Sequence, residues 1–158
     1  MLRDKNLVPL SRQHQHALAL CVRIDRASPI PDHESKTWQD EIAQHFRAEI
    51  RVHFTAEEQF VFPPARKFSE LDALVDELLL DHLWLRECFA RAETLQLSPA
   101  EITDFAGRLS KHIRKEERQL FERLQQLMSK EKLEQMGRDL DRALLEAEQA
   151  CRVPAKKP

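Results

Sequence analysis

A ten-residue pattern occurs twice in this chain and restricts its fold more than any other feature. The first copy is residues 53–62, His-Phe-Thr-Ala-Glu-Glu-Gln-Phe-Val-Phe, and the second is residues 112–121, His-Ile-Arg-Lys-Glu-Glu-Arg-Gln-Leu-Phe. Both read H-x3-E-E-x3-F. Residues four apart share one face of an α-helix, so each copy directs an imidazole and a carboxylate the same way.

This pairing of side chains predicts a metal site. Neutral imidazole nitrogens and ionised carboxylate oxygens are ligands for first-row transition metals. Two such pairs on facing helices could hold two metal ions, as in the carboxylate sites of four-helix bundles. The alternative is a pair of charged helix faces exposed to water, and the repetition of the pattern favours the metal site.

Composition predicts one all-α domain over residues 1–158. The chain has only two Gly and no Tyr, and its charge of -2 gives no reason to expect nucleic acid as a partner. It has no leader pattern and no long apolar run, so we expect no membrane association and a cytoplasmic location. Its three cysteines are far apart in sequence, which favours reduced thiols over a disulfide framework or a zinc site.

Proline and serine signals divide the chain into five predicted helices. Four of them should form an up-down-up-down bundle over about residues 8–128, followed by an additional C-terminal helix at about 130–150 and a frayed end at 153–158. The first predicted helix begins near Pro9, with Ser11 as its cap, and ends at about Ala27; the second begins at residues 35–37 and ends just before Pro63. The third is capped by Ser69 and ends at about Gln96. The fourth begins at Ser98-Pro99-Ala100-Glu101 and ends at about Met128, and the fifth begins at Ser129.

Helical phase selects one histidine of the first helix. At about 100° per residue, His14 falls in the middle of an apolar stripe, and His16 points roughly the opposite way. His14 is therefore the predicted ligand, and His16 is predicted to lie on the surface. The third helix contributes His82, which also lies within an apolar stripe.

The same phase separates the two glutamates of each motif. Glu57 shares the inner face with His53, and Glu116 shares it with His112, whereas Glu58 lies about 140° away. Glu58 and Glu117 are therefore expected to be solvated. Two ionised glutamates in an apolar core without a metal would carry a heavy desolvation cost.

Several nearby polar residues are excluded as ligands. Arg86 stands four residues after His82, and its guanidinium cannot ligate a metal, so we expect it to pair with an inner carboxylate such as Glu49 or Glu93. Glu49 falls on the inner face, where it could contact a ligand. His33 is interpreted as a loop residue, and His45 as a residue at the edge of the apolar stripe of the second helix. Cys21 is interpreted as a small core residue.

These motifs together resemble the hemerythrin-like family, also called the HHE cation-binding domain. The matching stretches are 10–14, His53-x3-Glu57-Glu58 with Phe62-Pro63, Asp81-His82-x2-Leu85-Arg86, and His112-x3-Glu116-Glu117 with Leu120-Phe121. The resemblance covers about residues 8–128. It implies an up-down bundle with two iron ions, bridged by oxide or hydroxide and held by His14, His53, Glu57, His82, His112 and Glu116.

The resemblance also implies a function, the binding or sensing of dioxygen or nitric oxide. Oxygen carriers of the family have a fifth histidine on the third helix and an aspartate on the fourth, where this chain has Arg86 and Glu116. It therefore looks like the branch with four histidines and two glutamates. The alternatives are a di-iron enzyme, such as a peroxidase, ferroxidase or iron–sulfur repair factor, and a metal-free helical interaction module.

Overall fold

A computed structural model describes residues 1–152, with side chains described up to residue 149. The described residues form five helices and no strand, with one 3-10 turn at Asp32–Glu34. Helix α1 is Val8–Ala27, α3 is Ser69–Glu93 and α5 is Lys130–Arg152. Helices α2 (35–65) and α4 (99–127) are continuous runs of α-helical and π-helical segments. The predicted all-α class is confirmed, and the predicted frayed end lies outside the described residues.

The first four helices form a bundle. Helix α1 packs along α4, α2 packs along α3, and α3 also packs against α4. The connections at 28–34, 66–68 and 94–98 are short, which makes consecutive helices antiparallel neighbours. Helix α5 lies against the middle of α2 at Arg51–Ala56. Among the described residues, no helix is both long enough and apolar enough to cross a membrane.

Helix boundaries agree with the sequence signals at α4 and differ at other ends. The Ser98 hydroxyl accepts a hydrogen bond from the Glu101 amide at 3.2 Å, and the Glu101 carboxylate accepts one from the Ser98 amide at 2.8 Å. This capping box is the one predicted. Ser11 and Ser69 are not caps, because α1 already begins at Val8 and Ser69 is itself the first residue of α3.

The C-terminal ends of α2 and α3 were also predicted wrongly. Helix α2 continues past Pro63 to Ala65, since the preceding π segment ends at Val61 and the prolines stand in the first turn of the next α segment. Helix α3 ends at Glu93, before the predicted Gln96, because Leu95 adopts the left-handed region with φ 58°.

π-helical segments occur in both motif-bearing helices. They span Phe46–Ile50 and Glu57–Val61 in α2 and Glu116–Phe121 in α4. Two of them begin at the inner glutamate of a motif. Because π segments within α-helices occur frequently at functional sites, these positions mark the middle of the bundle as a candidate site.

The apolar core consists of two separate clusters. One includes Ile42, Phe54, Phe89 and Phe105, and the other includes Leu10, Phe62, Leu78 and Phe121. Along each bundle helix, the chain passes from one cluster to the other near a predicted ligand. A layer of buried histidine and glutamate therefore lies between two apolar halves of the core.

Candidate metal centre

The six side chains predicted as ligands meet in the buried middle of the bundle. Each is at most 4% exposed, and they are His14, His53, Glu57, His82, His112 and Glu116. Their ligand atoms form two groups in which all atoms lie within 4.8 Å of one another. His14 and His53 belong to one group, His82 and His112 belong to the other, and both glutamates belong to both groups. The arrangement is suited to two ions that share two carboxylates.

Each carboxylate presents one oxygen to each group. Glu57 Oε1 lies 3.0 Å from His53 Nε2, and Glu57 Oε2 lies 3.4 Å from His82 Nε2. Glu116 Oε2 lies 3.1 Å from His14 Nε2, and Glu116 Oε1 lies 3.2 Å from His112 Nε2. Both glutamates are thus oriented as bridges between the two halves of the site.

The atoms that point into the site have few hydrogen-bond partners. Within the described chain, both carboxylate oxygens of Glu57 and Glu116 and the Nε2 atoms of His82 and His112 are buried and form no hydrogen bond. The Nε2 atoms of His14 and His53 face each other at 2.9 Å. Buried polar atoms are normally paired, because an unpaired one costs free energy. This convergence of unpaired nitrogens and oxygens fits a set of metal ligands.

The outer nitrogen, Nδ1, of each of the four inward histidines has a hydrogen-bond partner. In the first group, Nδ1 of His14 lies 2.6 Å from an oxygen of Glu117, and Nδ1 of His53 lies 2.8 Å from one of Gln13. In the second group, Nδ1 of His82 lies 2.8 Å from an oxygen of Glu58, and Nδ1 of His112 lies 3.4 Å from one of Asp81. An Nδ1–H that donates to such an oxygen leaves the Nε2 lone pair directed inward. The outer partners therefore fix the tautomer that a metal ligand needs.

These partners follow the internal repeat of the chain. Gln13 precedes His14 and contacts His53, just as Asp81 precedes His82 and contacts His112. Helices α1 and α2 form one half of the bundle, and α3 and α4 form the other. The second glutamate of each motif contacts a histidine of the other half: Glu58 of α2 contacts His82 of α3, and Glu117 of α4 contacts His14 of α1.

The expectation that Glu58 and Glu117 are solvated was wrong. Their side chains are 29% and 23% exposed, because each lies on the flank of its helix, beside a neighbouring helix, and not on the side opposite the core. The pKa of the Glu58 carboxyl is lowered to about 2, chiefly by its hydrogen bond to His82. Burial opposes ionisation of Glu117, but the hydrogen bonds with His14 and Ser11 and the charges of His14 and Arg3 together outweigh it and lower the pKa of that carboxyl.

Glu58 and Glu117, the outer glutamates of the two motifs, each contact an arginine. Arg86 Nη1 donates to Glu58 at 2.6 Å, which corrects the expected pairing with Glu49 or Glu93. Glu49 instead pairs with His16, and Glu93 pairs with Arg47.

Sequence reasoning missed Arg3, whose Nη2 donates to the Glu117 side chain and backbone carbonyl, each at 2.7 Å. Arg3 lies outside the repeated pattern, so its sequence position carried no signal for this role. The missed contacts of Gln13 and Asp81 did have a signal, because each residue directly precedes an inward histidine.

Aromatic rings pack against the histidines and help to exclude water. The Phe54 ring stacks on His82 with ring centres 3.9 Å apart, and Phe121 stacks on His14 at 5.6 Å. Arg86 and Arg3 lie over these two phenylalanines, each 5.4 Å from the ring centre. Each outer arginine is therefore held both by a carboxylate and by the face of an aromatic ring.

The charges of the site depend on one another. Burial raises the pKa of Glu57 and Glu116, but the adjacent imidazoles outweigh this and hold both carboxyl pKa values below their ordinary range. Burial likewise lowers the pKa of His112, while the charge of Glu116 and the hydrogen bond with Asp81 raise it to about 9. The pKa values of His14 and His82 are raised for the same reasons. In the metal-free chain, each buried carboxylate therefore faces imidazoles that favour its ionised form.

Other candidates lie outside this cluster, as predicted. The His16 and His33 side chains are 63% and 81% exposed. Cys21 is buried in the core, where burial raises the pKa of its thiol to about 12. Cys21 and Cys88 are both free thiols.

A small cavity of about 10 Å³ lies directly beside the site. Its lining includes His14, His53, His112 and Glu116, together with apolar side chains such as Ala17. A cavity needs roughly 10–15 Å³ to hold one water molecule. The space next to the ligand atoms therefore suits one very small molecule and leaves no room for an organic substrate.

Comparison with known proteins gives one match. The family model described as hemerythrin HHE cation binding domain matches residues 8–124, which is most of the chain and includes all six inward side chains. The comparisons with curated proteins and with solved structures each returned no significant match. The family match and the buried histidine–glutamate groups together indicate a metal-binding site.

Proposed function

Because this chain belongs to the hemerythrin HHE cation-binding domain family, we propose that it holds two iron ions and binds or senses dioxygen or nitric oxide. His14 and His53 bind one ion, His82 and His112 bind the other, and Glu57 and Glu116 bridge the two. The convergence of buried, unpaired ligand atoms on one small volume is the observation that carries this proposal.

The electrostatics of the site support this ligand set. Glu57 and Glu116 are fully buried, and two ionised carboxylates in an apolar core are costly unless cations compensate them. Two metal ions supply that compensation at the positions where the carboxylate oxygens and Nε2 atoms converge. The outer acceptors keep a proton on each Nδ1 atom, which leaves Nε2 free to ligate.

Imidazole and carboxylate ligands do not by themselves select iron. They also suit manganese, zinc and copper, so the choice of iron rests on the family. Iron, when bound, would supply a centre that can bind a diatomic gas. The chain's own residues contribute orientation of the ligands and exclusion of water, the latter through Phe54, Phe121 and the apolar walls of the cavity.

The size and lining of the adjacent cavity support a diatomic ligand. Its volume of about 10 Å³ is close to the minimum that a cavity needs to hold one water-sized molecule. Among the described residues, no hydroxyl, thiol or lysine side chain lines it, so the lining contains no nucleophile of these three kinds. Arg86 stands where oxygen carriers of the family have a fifth histidine, which favours a sensor or scavenger over a reversible carrier.

Metal analysis and gas binding test the proposal. Purified protein should contain close to two iron atoms per chain, and its reduced form should take up dioxygen or nitric oxide stoichiometrically, with a change in the visible spectrum on stopped-flow mixing. His14→Ala should lower both metal content and gas uptake, whereas His33→Ala, in an exposed loop, serves as the matched control.

Two outcomes would contradict the proposal. A reproducible content of one iron per chain, or zinc in protein from iron-replete cells, would rule out the di-iron site. Rapid multiple turnover with peroxide or added ferrous iron, without a stable gas adduct, would instead identify an enzyme.

A further inference from the structure

The cavity beside the site has a wall of only two residues on the side that faces solvent. Eleven residues line this cavity, and nine of them are buried. The remaining two, Gln13 of α1 and Glu49 of α2, are partly exposed. These two side chains are therefore the part of the lining that reaches the protein surface.

The same two residues also line a surface pocket of about 450 Å³. This pocket lies between α1, α2 and the C-terminal helix, which contributes Asp141, Leu144, Leu145 and Glu148 to its wall. Of the residues that the structure describes, Gln13 and Glu49 alone line both cavities. The surface pocket and the inner cavity are thus neighbours separated by one layer of side chains.

We propose that this surface pocket is the entrance to the metal centre, and that the Glu49 carboxylate makes it selective for uncharged diatomic molecules over anions. The selectivity rests on the proposed binding of a gas at the centre, whereas the location of the entrance does not. The proposal also gives α5 a role, because its residues 141–148 form the outer wall of the passage.

Glu49 is the movable part of the wall. The side-chain amide oxygen of Gln13, Oε1, lies 2.8 Å from the Nδ1 atom of His53, so displacement of the Gln13 side chain would break a contact of a predicted ligand. Among the described residues, the Glu49 side chain bonds only to His16, at 3.0 Å, and the His16 side chain is 63% exposed. A rotation of Glu49 toward solvent therefore opens the passage without disturbing the metal ligands.

The charge of the passage favours neutral molecules. Among the described residues, its lining carries the carboxylates of Glu49, Asp141 and Glu148 against the guanidinium of Arg12 and the imidazole of His16, so carboxylates predominate. Clefts lined by one sign of charge concentrate ions of the opposite sign and repel those of the same sign. An anion therefore meets a barrier at the entrance that a neutral gas of similar size does not.

Glu49→Gln separates charge from shape, because glutamine has nearly the same volume. In iron-loaded protein, azide ion is the anionic probe and nitric oxide is the neutral one, and both association rates are measured by stopped flow. The ratio of the azide rate to the nitric oxide rate should rise about threefold to tenfold at low ionic strength and less at high salt. Glu93→Gln is the matched control, since Glu93 pairs with Arg47 and lines neither cavity.

A second measurement locates the entrance without any gas. Base-catalysed exchange of the Nδ1 proton of His53 with solvent requires hydroxide, itself a small anion, to reach the Gln13 wall. In metal-loaded protein, Glu49→Gln should accelerate this exchange several-fold by NMR. The Nδ1 proton of His82, which is bonded to Glu58 on the other side of the site, should keep its rate.

The outcomes separate this proposal from the proposed function. Equal changes in Glu49→Gln and Glu93→Gln, or no change at His53, would overturn the entrance. Absence of any nitric oxide adduct in all variants would overturn gas binding and the selectivity, while faster exchange at His53 alone would still support the entrance.

Discussion

Glu117 and His14 lie on opposite halves of the bundle, yet the Glu117 carboxylate is 2.6 Å from the Nδ1 atom of His14. The corresponding pair in the other direction is Glu58 with His82, at 2.8 Å. The second glutamate of each H-x3-E-E motif therefore supports a histidine contributed by the other half. Neither helical hairpin contains a complete set of supported ligands.

Loss of an outer glutamate should weaken metal binding. Glu117→Ala and Glu58→Ala each remove the acceptor that fixes the Nδ1 proton of an inward histidine, so metal affinity should fall roughly 10- to 100-fold. Competition with a chelator of known affinity measures the change. Glu87→Ala provides the control, since Glu87 is an exposed glutamate of α3. Affinities equal to that of the control would show that these contacts do not support the ligands.

His14 and His16 should differ sharply in their effect on metal content. His14 is 3% exposed and directs Nε2 into the site, so His14→Ala should lower the metal content below two ions per chain. His16 is exposed and contacts Glu49, so His16→Ala should retain full metal content and change the free energy of unfolding by no more than about 0.5 kcal/mol. Elemental analysis and denaturant unfolding test both statements. Metal loss in His16→Ala alone would place the wrong histidine in the site.

Stability of the metal-free protein should decrease as the pH rises from about 6.5 to about 9. The pKa of His112 is about 9 in the folded chain, against an unfolded value of about 6.5. A group whose pKa is higher in the folded state than in the unfolded state stabilises the folded state. This stabilisation is complete below the unfolded-state pKa and is lost as the pH rises through the folded-state pKa. Urea unfolding of metal-free protein across this range measures the loss.

Metal affinity should change in the opposite direction over the same range. Metal must displace the protons of His14, His82 and His112, whose pKa values are all raised, so affinity should increase with pH and binding should release protons. Calorimetry at pH 7.5 in two buffers of different ionisation enthalpy detects the released protons. A heat of binding that is independent of the buffer would contradict protonated histidines in the metal-free site.

The capping box of α4 should stabilise the protein only above strongly acidic pH. Hydrogen bonds from Arg91 and from the Ser98 amide hold the pKa of the Glu101 carboxyl at about 2. A carboxyl group whose pKa is lower in the folded state than in the unfolded state stabilises the folded state. This stabilisation is present above the unfolded-state pKa, about 4.3, and is lost as the pH falls through the folded-state pKa. Glu101→Gln should therefore unfold at lower denaturant concentration than the parent chain at pH 7, and this difference should shrink between about pH 4.3 and pH 2. Glu87→Gln should show no such convergence.

The inner ligands could be predicted from the sequence because helical phase separates core from solvent. His14, His53 and His82 lie in the middle of apolar stripes, and the structure buries all three. Phase does not say what stands beside the flank of a helix. Glu58 and Glu117 occupy such flanks, where a bundle helix meets its neighbour, and their partners depend on how the helices are arranged.

The π segments limit the same reasoning further along each motif. A π turn has one residue more than an α turn, so it shifts the phase of all residues after it. Phase continued from His53 places Phe60 on the inner face, but Phe60 is only partly buried, and Val61 and Phe62 fill the core instead. The segment Glu57–Val61 accounts for this displacement, and no residue type in the motif predicted it.

The division of the apolar core into two clusters has a consequence for folding cooperativity. The cluster that contains Phe105 and the cluster that contains Phe121 are separate, and the polar layer of histidine and glutamate lies between them. With metal bound, ligands from all four helices tie the two clusters into one unfolding unit. Without metal, no ligand bonds cross that junction, so the two ends of the bundle should open independently. Amide hydrogen exchange would then report one protection level in the loaded protein and two in the metal-free protein.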